Sequence, residues 1–223
     1  MRQRSDVPKR VTIGWEDRTV SGRWLCPADP SGIAVLLAHG AGAGQDHPGV
    51  TAIRDGLADR GHPVLTFNYT YMEAGRRFPD RPPLLLACHR AAAAWLRERF
   101  PRIVMAGRSM GGRMASYLAA AGEECEGLVF YGYPLHPAGK PDRLRADHLP
   151  EVPVPMLFLT GSRDALALPH LVDRRLVPLE RATVEIIPHA DHGFRVPKRS
   201  GRTQEQVIDW MVERTSQWIS ALP

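Results

Sequence analysis

A chain of 223 residues, 43% hydrophobic and 24% charged, can bury one sizeable core but has no room for a second domain of similar size. These proportions exclude a disordered or low-complexity chain, and the longest apolar runs are far too short to cross a bilayer, so no membrane partner is expected. The net charge of +5 includes basic clusters at Arg2, Arg4, Lys9 and Arg10 and at Arg195, Lys198, Arg199 and Arg202. No aromatic residues interleave with them on a recognisable binding module, so they read as a solvated basic face and no nucleic-acid partner is expected.

Cys26, Cys88 and Cys125 show no C-x-x-C spacing and leave one cysteine over under any pairing, which fits reduced thiols. The amino terminus is charged and has no apolar leader core, so the expected location is the cytoplasm. One domain is expected over residues 1–223, with residues 1–10 as a basic tail.

In chain order, Arg10 to Cys26 alternates loosely and predicts a two-stranded hairpin at a sheet edge. Ile33 to Ala38 is a continuous apolar strand, as a parallel strand covered on both faces would be. It runs into His39-Gly40-Ala41-Gly42-Ala43-Gly44, a loop with little side chain and much exposed backbone. A helix over Val50 to Arg60 ends at Gly61, and a strand follows over Pro63 to Phe67. Asn68 to Pro83 reads as loop, and Leu84 to Phe100 as a helix closed by Pro101.

Arg102 to Ala121, RIVMAGRSMGGRMASYLAAA, carries the strongest signal. A short apolar strand stops at Gly107, and Met110, Met114 and Leu118 then recur at helical spacing. Ser109 stands between strand and helix in a G-x-S-x-G context, the signature of a nucleophile elbow. The turn needs glycines because it brings strand and helix backbones together and forces the serine towards positive φ. The other reading is a Gly-rich turn with an incidental serine.

Further strands are expected at Gly127 to Tyr131, Met156 to Thr160 and Thr183 to Ile187, with helices at Pro169 to Val177 and Gln204 to Ile219. Residues 132–155 are too rich in proline and glycine for a long regular element and predict an irregular, minimal cap. Strands alternating with helices predict an α/β fold: a doubly wound, mostly parallel sheet with helices on both faces. Ligands then belong at the carboxyl ends of the strands.

A serine hydroxyl needs a general base, and the base needs an orienting acid. Asp164, in GSRD after one strand, and His192, in HADHGF after the last, supply them in the order Ser, Asp, His. Asp164 competes with use as a turn residue, and Asp191 and His189 are rival choices for acid and base. An oxyanion needs two donors: Met110 N–H after the serine, and Ala41 N–H in the glycine loop, with Gly42 in reserve. The glycine loop lacks the Lys-Ser/Thr of a phosphate loop, and Asn68-Tyr69 stand where a ribose-binding acid would be, which argues against a nucleotide. The remaining histidines share no metal spacing, so no metal and no cofactor are expected. Arg108, Tyr71, Tyr133 and Leu135 fall on loops at the expected mouth and are the candidates for substrate contact. Their ordinary uses would be a surface salt bridge for Arg108 and cap packing for the others.

Together these residues resemble the α/β-hydrolase superfamily from about Val11 onward. More narrowly, HGAGAGQDHP, FNY, AGRSMGG, YGYPLHPAGKP and LTGSRD resemble a hydrolase-like family with a eukaryotic relative in a histone acetyltransferase complex, the regulatory subunit of the NSL complex. Dienelactone hydrolases are a more distant resemblance, although their nucleophile is cysteine where this chain has Ser109. The resemblance implies a hydrolase fold with a Ser-His-Asp triad acting on a small-molecule acyl substrate, and also admits a non-catalytic interaction module. Amide or peptide hydrolysis would use the same triad.

Overall fold

The computed structural model describes residues 7–223. Eight strands form one sheet in the order β1-β2-β4-β3-β5-β6-β7-β8. They are β1 Lys9–Trp15, β2 Arg18–Leu25, β3 Ala34–Ala38, β4 Val64–Phe67, β5 Ile103–Arg108, β6 Gly127–Tyr131, β7 Met156–Gly161 and β8 Ala182–Ile187. The first hairpin pairs antiparallel and lays β2 antiparallel on β4; every pair from β4 to β8 is parallel. This is the mostly parallel sheet of an α/β-hydrolase fold.

Among the described residues six α-helices flank the sheet: α1 Pro48–Ala58, α2 Thr70–Glu73, α3 Pro82–Arg97, α4 Met110–Ala120, α5 Pro169–Arg175 and, after the last strand, α6 Gln204–Ser220. Side chains alternate along each strand, and the alternation divides the core in two. Val35, Leu37, Val104, Ala106, Val129 and Leu157 pack under α1 and α6. Leu36, Met105, Leu128 and Phe130 pack under α3 and α4 on the opposite face. The prolines that open α1, α3 and α5 sit in first turns, where a missing N–H costs nothing. Thr203 and Gln206 close a capping box at the start of α6.

The chain leaves β3 towards β4 on one side and leaves β5 towards β6 on the other. The crevice between the carboxyl ends of β3 and β5 is therefore the switch point of the sheet, where the glycine loop and the serine turn both emerge. Ala38 lies opposite Gly107 in the register, so the two loops begin side by side.

Several boundaries shift by two or three residues from the sequence expectation, and the ends of the loops show why. The expected basic tail ends sooner, because Lys9 and Arg10 already pair with Trp24 and Arg23; Arg2 and Arg4 lie outside the described residues. Pro82 and Pro83 open α3 instead of closing the loop before it, and one turn of helix, α2, stands within that loop. The irregular segment 132–155 carries one 3-10 turn, Leu149–Glu151, and folds down onto the sheet, burying Tyr133, Leu135, Leu149 and Val152. Among the described residues no helix is long and apolar enough to cross a membrane.

A Cβ at Gly107 would fall on the amide nitrogen of Gly112, and one at Gly111 would lie 2.6 Å from the Ala38 carbonyl oxygen. Gly107→Ala should lower unfolding free energy by about 3 kcal/mol or more; an unchanged urea midpoint would show that strand and helix can separate cheaply.

Burial also sets acid stability. His39 and His148 are pushed down to about 4, and His89 to about 3, mainly by desolvation. Unfolded, each protonates near pH 6.5, so between about pH 6.5 and 4 the unfolded chain binds more protons and stability falls as pH falls. Near pH 5 these side chains alone should take up about three protons on unfolding, read from the slope of unfolding free energy against pH.

Candidate active site

Ser109 caps α4 with φ 50° and ψ −112°, outside the ordinary basins of an L-residue. Such strain costs of order 1–3 kcal/mol and persists only where the surroundings enforce it. Here they do: the Ser109 amide donates to the Tyr131 carbonyl at 3.1 Å, and β5 and α4 meet through Gly107, Gly111 and Gly112. The result lifts the Ser109 hydroxyl above the end of β5 while the first-turn amides of α4, Met110 among them, have no carbonyl one turn back to bond.

The structure brings Ser109, His192 and Asp164 together although 28 residues separate the acid from the base and 83 the base from the serine. His192 Nε2 lies 2.9 Å from Ser109 Oγ. On the other side of the ring, Nδ1 lies 2.8 Å from Asp164 Oδ2 and 3.0 Å from Oδ1. The Asp164 side chain is fully buried and also accepts the Leu166 amide at 2.7 Å, so its lone pairs are aimed and satisfied. The His192 side chain is 26% exposed, so the imidazole is only partly covered by the protein.

Two glycines seat the histidine. Gly132 lies against the ring and takes φ 72°, a conformation suited to glycine; a Cβ there would sit in ordinary contact 3.5 Å from Nδ1 and Cε1. Gly161 lets β7 approach the His192 loop so closely that a Cβ would collide with the Ala190 carbonyl. Asp191, the rival acid, faces away from the ring; its Oδ1 accepts the Gly193 and Arg195 amides at 2.8 and 2.9 Å and so shapes the loop. His189, the rival base, is exposed at φ 64°, with its amide bound to Ser162 Oγ.

The glycine loop lies beside the serine: a Cβ at Gly40 would be 3.6 Å from Ser109 Cβ. Its conformation is held from below by His39, which is completely buried. His39 Nε2 accepts the Tyr69 amide at 3.1 Å, so the ring proton is on Nδ1, which donates to the Gly40 carbonyl at 2.8 Å. The Tyr71 hydroxyl reaches the same carbonyl at 3.5 Å, and burial pushes Tyr71 up to about 12, so it remains a donor. In a trans peptide the C=O and the following N–H point opposite ways. Fixing the Gly40 carbonyl inward therefore turns the Ala41 N–H outward, and Ala41 itself is exposed. Gly42 follows at φ 70°, a conformation suited to glycine.

The proposed substrate contacts divide. Tyr133 and Leu135 are fully buried, and the Tyr133 hydroxyl donates to the Arg145 carbonyl at 2.8 Å, so both are core residues that anchor the irregular segment. Tyr71 is likewise buried and serves the glycine loop from beneath. Each was placed at the mouth because its segment is; the apolar ring or chain turns inward instead. Arg108 remains at the surface of the site. His39 and Tyr69 were missed, and the only sequence sign of them was a histidine directly after a buried strand.

Among the described residues no group of three or more His, Cys, Asp or Glu side chains could hold a metal ion. A groove of about 490 Å³ exists elsewhere, lined by Leu149, Val152, Met156, Arg174 and Arg181, but Met156 opens β7, so this groove lies at the end of the sheet remote from the triad.

Solved structures with the same architecture cover nearly the whole chain. A dienelactone hydrolase from Anabaena variabilis superposes with a TM-score of 0.76 at 23% identity, covering 97% of this chain and 99% of its own. A protein from Xanthomonas campestris, described as an α/β serine hydrolase without lid, gives 0.75 at 22% identity, with 97% of both chains covered. An esterase from Pyrococcus furiosus gives 0.74 at 18% identity, covering 96% of this chain and 92% of its own. At these identities the likeness establishes the fold. The sequence model of the alpha/beta hydrolase domain matches residues 31–220, and the chain belongs to that family.

Proposed function

We propose that this protein is a serine hydrolase acting on a carboxylic ester or related acyl substrate. The observation that carries the reading is the unbroken relay from Ser109 Oγ through His192 to the buried Asp164 carboxylate, at 2.9 and 2.8 Å. These are the distances at which a base can take a hydroxyl proton and an acid can hold the base in one tautomer. Solved structures of similar fold include an esterase, a serine hydrolase homologue and a dienelactone hydrolase, which supports the reading. The motifs HGAGAGQDHP and AGRSMGG also resemble those of a hydrolase-like family with a relative in a histone acetyltransferase complex, which keeps an interaction role as the second reading; the relay favours catalysis over it.

In this reading Ser109 Oγ attacks the acyl carbon as its proton passes to His192 Nε2. The carbonyl oxygen gains the charge and is met by the Met110 and Ala41 amides. Asp164 accepts a hydrogen bond from Nδ1–H and stabilises the imidazolium. His192 returns the proton to the departing alkoxide, leaving an acyl-enzyme. A water then repeats the sequence, its proton taken by His192 and passed back to Ser109 Oγ as the carboxylic acid leaves. We place this chemistry in the cytoplasm.

A fluorophosphonate should label the protein on Ser109, and Ser109→Ala should abolish both labelling and ester hydrolysis. Unlabelled wild type would count heavily against the proposal. His39 acts through the glycine loop, so His39→Ala should lower kcat about 100-fold while changing KM little, as expected when an oxyanion donor moves out of line. A rise in KM at constant kcat would instead place His39 in ground-state binding.

A further inference from the structure

We propose that the site selects acyl substrates that carry a second, anionic group, a carboxylate on the ester, and that Arg108 is the residue that reads it. The inference rests on the hydrolase reading above and names its substrate class. Arg108 ends β5 immediately before Ser109, so its Cα is about 3.8 Å from that of the nucleophile. Strand alternation turns its side chain to the same face as Val104 and Ala106, towards α1.

There the guanidinium lies between the first turn of α1 and the loop of the catalytic histidine. A Cβ at Gly49 would be 2.9 Å from Nη1, and one at Gly193, next to His192, would be 3.7 Å from Nη2. Larger residues at 49 would displace the group, and Gly193 leaves it uncovered beside the base.

The salt bridge expected of a surface arginine is missing. Among the described residues no carboxylate lies within 4.0 Å of Arg108 and it makes no hydrogen bond. The acid that acts on it, Asp191, does so at longer range, with Oδ1 already bonded to two amides of its own loop. Arg195, from that loop, adds a second positive charge that opposes Arg108. His47, from the other side, has its pKa lowered by burial and by these two arginines and offers no compensating anion. Taking an arginine partly out of water with no carboxylate in direct contact is costly. A carboxylate delivered by the substrate would relieve that cost through a charge-assisted, fork-shaped pair within one side chain's reach of the reacting serine.

The test compares p-nitrophenyl monoesters of glutaric and adipic acid with the same esters capped as methyl esters at the free carboxylate. Wild type should favour the anionic member by about tenfold or more in kcat/KM, the size of one partly exposed charge-assisted contact. The preference should shrink as salt rises from about 0.05 to about 0.5 M. Arg108→Gln should bring the ratio of the two esters close to one, and Arg108→Lys should retain part of it. A merely structural role would lower both esters together and leave the ratio intact, which would overturn the proposal. A wild-type ratio near one, or one indifferent to salt, would overturn it without any variant having to fold. Hydrolysis of the capped ester with Ser109 labelling but no preference would sink this inference and leave the hydrolase reading standing. Loss of both hydrolysis and labelling would sink the two together.

Discussion

The structure depends on two backbones that occupy nearly the same space. Gly107 and Gly112 touch where β5 hands over to α4, and Gly111 lies against the carbonyls of Ala38 and His39 at the end of β3. Without Cβ atoms at these positions the helix can start directly over the strand, and Ser109 is left at φ 50° because no relaxed turn is short enough. The strain is offset by α4 itself, which buries Met114, Ala115, Leu118 and Ala119 in the core on one face of the sheet. Packing energy from a helix thus holds one residue in a conformation that it would leave on its own.

The same device recurs at the partner residues. Gly161 lets the loop after β8 lie on the end of β7, and Gly132, at φ 72°, turns the chain beside the imidazole at the end of β6. Exposure divides the three side chains: Asp164 is wholly buried, whereas His192 and Ser109 are both partly exposed. That division has a physical basis. A buried carboxylate must be fully hydrogen-bonded, which here fixes its direction, whereas the serine must admit another molecule.

The elbow was legible because its information is local: strand, glycines and helix lie within twenty residues and obey simple periodicities. Asp164 and His192 were legible by order and by their position just after strands. What could not be read was which side of a loop faces the core. Tyr71, Tyr133 and Leu135 belong to segments at the mouth, yet their apolar bulk is directed into the same core as Phe130 and Phe158. Pro82 and Pro83 look like loop residues until one sees that they occupy a first helical turn. The tautomer of His39 depends on the amide of Tyr69, thirty residues later, and no spacing rule encodes that bond.

His39 and His192 show how environment divides one residue type between two tasks. His39 is sealed beneath the glycine loop, where burial pushes its pKa down to about 4 and keeps the ring uncharged, so that Nε2 can accept the Tyr69 amide while Nδ1 donates to the Gly40 carbonyl. His192 is about a quarter exposed and has the buried Asp164 carboxylate against Nδ1, which holds the ring in one orientation. Exchanging the two environments would defeat both roles: a charged ring beneath the loop would lack a counter-ion, and a desolvated ring beside the serine would resist taking its proton. The division therefore follows from depth in the sheet and from the position of the buried Asp164 carboxylate.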